Sequence, residues 1–131
     1  MKLSHAPAGT IVAAVAAVGF LGTAALHSTG YGTVVELAAE VPSDLAPVIP
    51  ALWLAFSLDL AVVGLIVAVV AWRQPRGSPA ILLLAALQPL GAAILQLTSI
   101  GFVPPTAILL ILALITIIAA AAVRSRPSAM R

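Results

Sequence analysis

The sequence predicts an all-α integral membrane protein: a bundle of four transmembrane helices, both termini in the cytoplasm, with a short amphipathic helix in an outer loop. Three observations predict it. The 131 residues are 63% hydrophobic and 8% charged, with a mean hydropathy of +1.22, whereas a soluble domain is apolar over roughly half of its residues. The apolar residues collect in four runs of about 20, the length that a hydrocarbon core of about 30 Å asks of a helix. All six basic residues (Lys2, Arg73, Arg76, Arg124, Arg126 and Arg131) fall on one side of these runs, and the four carboxylates fall on the other side or inside them. The positive-inside rule makes the basic side cytoplasmic, in a cell (inner) membrane crossed several times.

The elements follow in order within a single membrane domain, 1–131. The first span covers 9–27. Met1-Lys2, the apolar run after Ile11 and the small residues Thr23 and Ala25 look like a signal peptide, but the segment is read as a retained helix. It carries Gly9, Ala13 and Ala17 on one stripe and Gly19, Thr23 and His27 on another, the small-residue pattern of helix-to-helix contact. The outer loop, 28–49, contains the stretch TVVELAAEV, which puts Val34, Leu37, Ala38 and Val41 on one helical face and Thr33, Glu36 and Glu40 on the other. An amphipathic helix over 33–41 is expected there, lying on the membrane surface or over the bundle mouth. Gly30 and Gly32 are expected to let the chain turn sharply before it.

The second span, 50–72, ends at the turn WRQPRGSP, where Ser78-Pro79 has the form of an N-cap followed by proline at the first helical position. The third span, 79–100, contains Pro89, which removes one backbone donor and bends the helix. GFVPPT makes the outer turn, the fourth span covers 106–123, and a basic tail, 124–131, closes the chain.

Polar residues are distributed unevenly along the spans. Ser57, Gln96, Thr98, Ser99, Thr23 and His27 all belong to the outer half, and Thr116 is the main polar residue of the inner half. A pocket open to the outside and sealed from the cytoplasm is therefore expected. Asp59 is its predicted centre, because a carboxylate inside a span costs a few kcal/mol and normally faces a cavity or a partner. Counting at about 1.5 Å per residue places it about 14 Å below the outer end of its helix, level with the stretch between Gln88 and Gln96.

Asp59 and His27 are thus the candidate catalytic residues. Gln88, Gln96, Ser57, Tyr31 and Trp53 are the candidate binding residues, with Glu36 and Glu40 on a lid; Tyr31 and Trp53 also suit interfacial anchors. No metal site is predicted: His5 and His27 are separated by about 33 Å at helical rise and cannot ligate one centre. The sequence specifies no cofactor. The absence of cysteine excludes disulfides, thiolate metal sites and thiol nucleophiles, and the few arginines mark topology, not a nucleic-acid surface.

Small multidrug resistance transporters place an essential glutamate in the first span, where this chain has none. Trp53 to Ser57 with Gly64 is faintly similar to styrene oxide isomerases, with Ser57 where that family's haem-ligating histidine would stand; no family is assigned on it. The leading expectation is an intramembrane pocket that binds a lipophilic small molecule and supports acid/base chemistry of an isomerising or ring-opening kind. The alternatives are a non-catalytic accessory subunit of a larger membrane complex and an ion- or proton-coupled transporter. The expected partners are the lipid bilayer, the lipophilic ligand, and either further copies of the chain or a membrane complex.

Overall fold

A computed structural model describes residues 8–42, 44–74 and 78–124. Over these it is entirely helical: α1 (Ala8–Thr29), α2 (Tyr31–Ala38), α3 (Val48–Arg73), α4 (Ser78–Ser99) and α5 (Pro104–Arg124). The four long helices are each long and apolar enough to cross a membrane. Only 28% to 39% of each one's most apolar window is buried inside the protein. Residues such as Val18, Leu52, Leu84 and Leu95, all more than half exposed, form apolar surface too extensive for water and suited to lipid tails. The molecule has the build of a multipass membrane protein.

The helix ends follow from local chemistry. Pro50 sits in the first turn of α3, where a missing N–H costs nothing. The same helix stops at Gln74, whose left-handed backbone (φ 45°) lets its N–H close on Val70 O at 3.0 Å. Ser78, expected as a cap, is the first residue of α4 and is buried. Gly101 has φ +83°, so the turn into α5 does need a glycine. The turn between α1 and α2 does not: Gly30 has φ −74° and ψ −5°, a conformation open to any residue. What Gly30 supplies is space, since a Cβ there would lie 2.8 Å from Trp53 Cζ2.

Helix α2 starts earlier than the sequence pattern indicates and ends at Ala38, because the Val41-Pro42 step disfavours further helix. It buries Val34 and Ala38, while Leu37 is 60% exposed, so its apolar face is narrower than expected.

Helix α1 packs chiefly on α3 and α4 on α5, and the contact of α1 with α5 joins the two pairs; α3 and α4 touch only slightly. Small residues make the first and third of these contacts close. Gly9, Ala13 and Ala17 are all buried; a Cβ on Gly9 would meet Val123 N at 2.9 Å, and one on Gly64 would meet Phe20 Cβ at 3.0 Å. Phe20, Leu60, Val67, Leu82 and Leu109 fill the core between them. Thr116, fully buried, is neutralised within its own helix by donating to Leu112 O at 2.7 Å.

Candidate functional site

The site is built where α1 ends, α3 begins, α4 ends and α5 begins. Trp53, Phe56 and Ser57 recur at i, i+3 and i+4, so they share one face of α3, and that face meets His27 near the end of α1. The imidazole stacks on Trp53 with ring centroids 3.8 Å apart and planes 17° from parallel, and it meets the edge of Phe56 at 5.0 Å. Trp53 Nε1–H donates to His27 O at 2.8 Å, which ties the indole to the backbone of the helix it packs on. His27 Nδ1 and Ser57 Oγ are 2.8 Å apart, and Ser57 Oγ is also 3.2 Å from Trp53 O.

This arrangement gives the ring two interchangeable roles. Ser57 has one proton to give. When it goes to Nδ1, the other nitrogen, Nε2, carries the imidazole hydrogen and is a donor. When it goes to Trp53 O, Nδ1–H donates to Ser57 and Nε2 keeps a lone pair. In either state Nε2 has no hydrogen-bond partner among the described residues.

His27, Trp53 and Phe56 line a cavity of about 460 Å³, with Thr23 and Thr29 beside them and Gln96, Ile108 and Leu109 across it. Gln96 is oriented by α5: Thr106 Oγ–H donates to its Oε1 at 2.8 Å, and Thr106 is in turn fixed by N–H to Val103 O (2.9 Å). With Oε1 so engaged, the Gln96 amide N–H₂ has no protein acceptor among the described residues. Thr23 is spent on Gly19 O at 2.8 Å. An apolar chamber thus holds two polar side chains from different helices, each oriented by a neighbour and each with hydrogen-bonding capacity left over.

Of the residues singled out from sequence, His27, Trp53, Ser57 and Gln96 come together here. Asp59 does not join them: it is exposed on α3, about 200° of helical rotation past the buried Ser57. It makes no hydrogen bond to Gln88 or Gln96. Gln88 Oε1 is buried without a hydrogen-bond partner, one residue before Pro89 and away from the cavity. Tyr31 lines a separate cleft between α2 and the start of α3, with Val35, Pro47 and Pro50. Glu36 and Glu40 are exposed. His5 lies outside the described residues, and among the described residues no three His, Cys, Asp or Glu side chains cluster as a metal site would require.

Phe56 and Thr106 escaped the sequence reading. The first was legible from its spacing to Trp53 and Ser57; the second had no signal, because its role depends on how α5 docks against α4. No known family model matches the chain, and no curated protein or solved structure is significantly similar to it.

Proposed function

We propose that this protein is a multipass protein of the cell membrane that binds a lipophilic small molecule in the His27 cavity, with the polar centre at His27 and Gln96 and not at Asp59. The observation that carries the reading is the convergence of these two oriented side chains on an apolar chamber of about 460 Å³, a volume and a lining typical of small-molecule sites. The ligand is apolar over most of its surface and carries an acceptor oxygen, as a ketone, ether or epoxide does. The Gln96 amide donates to that oxygen. With Nδ1–H donated to Ser57 and the Ser57 hydroxyl turned to Trp53 O, His27 Nε2 takes a proton from the ligand to become imidazolium and returns it at the neighbouring atom, so the ring ends as it began. That supports the isomerising or ring-opening chemistry the sequence brings to mind. The basic residues at the Arg73 and Arg124 end put that end in the cytoplasm, so the cavity belongs to the outer half of the bilayer and α2 lies at the outer surface.

The test uses protein reconstituted in nanodiscs and a panel of apolar ketones and epoxides beside hydrocarbons of the same shape. Binding is followed by quenching of Trp53 in a Trp72→Phe background. Wild type should prefer the oxygenated member of each pair, His27→Ala and Gln96→Leu should each lose the preference, and Asp59→Asn should keep it. Equal binding of oxygenated and hydrocarbon probes, or a preference that survives both cavity variants, refutes the proposal.

A further inference from the structure

Asp59 is the only carboxylate within the four long helices among the described residues, and it is exposed. By helical rise it lies about 17 Å from the start of α3 and about 21 Å from its end, deep in any bilayer that α3 crosses. The side chains above and below it on the same face, Leu52, Ala55, Val62, Ile66 and Val69, are exposed as well. Every uncovered helical face repeats at intervals of three and four; the carboxyl is what sets this one apart. The exposed faces of the other long helices carry hydrocarbon at their middles, such as Val18 of α1, Leu87 of α4 and Leu114 of α5. An acidic side chain facing lipid is costly, and such groups are normally paired inside protein. Among the described residues no Lys or Arg stands at that depth, since Arg73 lies at the far end of the same helix, and His27 packs against Ser57 on the opposite face of α3.

We infer that Asp59 lies at the centre of a two-fold interface through which two copies of this chain pair along α3. The occupant follows from membrane geometry. Two copies inserted in the same orientation and related by an axis along the membrane normal set α3 parallel to α3, so each residue on the axis meets its twin at the same depth. Asp59 then faces Asp59, and two carboxyl groups holding one proton form an O–H to carboxylate hydrogen bond, which satisfies both at once. A single polar position in an otherwise apolar seam also fixes register, since any slip along the helix leaves it unpaired. Ala55, one turn away, lets the two helices approach closely. This inference does not depend on the ligand proposed for the His27 cavity, only on α3 crossing the bilayer.

The natural chain has no cysteine, so single cysteines report the interface directly in phosphatidylcholine–phosphatidylglycerol vesicles. Oxidation should yield disulfide dimers for Ala55→Cys, Val62→Cys and Ile66→Cys and none for Val18→Cys or Leu114→Cys. Asp59→Asn should still dimerise, because two amides can replace the carboxyl pair. Asp59→Leu should dimerise about tenfold more weakly, the effect of one or two interhelical hydrogen bonds in lipid, with Trp53 emission unchanged to show an intact fold. Crosslinking without helical periodicity, a monomeric wild type, or an Asp59→Leu variant that pairs as tightly as wild type overturns the inference. Recovery of the α3 stripe crosslinked to a different membrane protein in place of a second copy overturns it too.

Discussion

Replacing Gly30 by alanine opposes two effects whose sizes the structure separates. The backbone at Gly30, φ −74° and ψ −5°, is one that alanine adopts freely, so restriction of the unfolded chain should stabilise the variant by about 0.4–1 kcal/mol. Against this, the new Cβ would lie 2.8 Å from Trp53 Cζ2, where carbon atoms prefer about 3.5–4.0 Å. The indole must therefore retreat by about an ångström. It is not free to do so, because it is stacked on His27 and donates to His27 O. Overpacking of this kind costs about 1–3 kcal/mol, so a net loss of about 1–2 kcal/mol is expected. Gly32, in the next turn, has nothing within 4 Å of its Cβ position, and Gly32→Ala should gain about 0.5–1 kcal/mol through helix propensity alone. The assay is reversible unfolding in mixed micelles of both variants, with Trp53 emission recorded in a Trp72→Phe background. A Gly30→Ala protein as stable as Gly32→Ala, with unshifted Trp53 emission, would refute the packing described for this end of the bundle.

Three further outcomes are expected. Ser57→Ala leaves His27 Nδ1 without its partner and should lower affinity for an apolar ketone about fivefold, read by Trp53 quenching, while costing about 1 kcal/mol of stability. Thr106→Val removes the hydroxyl that orients Gln96 and should reduce the preference for ketone over matched hydrocarbon in the same titration, with a stability loss of about 1 kcal/mol from the lost hydrogen bond between two helices. Gly9→Leu drives a side chain into the backbone of α5 at Val123 N and Ala122 C; chemical unfolding should show a loss above about 2 kcal/mol, with Trp53 emission unchanged because the clash lies at the opposite end of the bundle.

The spans were legible in the sequence because their signal is cumulative: about 20 apolar residues outweigh any local ambiguity. The Gly9, Ala13 and Ala17 stripe was legible for a related reason, since small residues at helical spacing have few uses besides close packing. Asp59 was legible only in part. Counting residues gave its depth but not the direction in which it faces. Packing sets that direction: it buries Ser57, Leu60, Gly64, Val67 and Ala71 on one stripe of α3, and Asp59, two residues past Ser57, falls on the opposite side; leucine and valine occur all round this helix, so no pattern in the sequence marks the buried stripe. His27 with Trp53 and Ser57 was legible as separate polar or amphipathic residues of the outer half, not as one cluster, because their meeting depends on how α1 is phased against α3. Gln96 could be placed by height, whereas the threonine that orients it required the register of α5.

The contact between Gly9 on α1 and the backbone near Val123 on α5 has a consequence for the order of assembly. Helix α1 emerges from the ribosome first and α5 last among the described helices, yet they are neighbours in the finished bundle. During synthesis α1 can pair early with α3, but its small-residue flank stays open until the final long helix arrives. The His27 chamber, whose walls come from α1, α3, α4 and α5, is likewise absent until that moment. A ligand that fits it would recognise only completed chains and would favour the last docking step over the partly assembled, aggregation-prone forms that precede it.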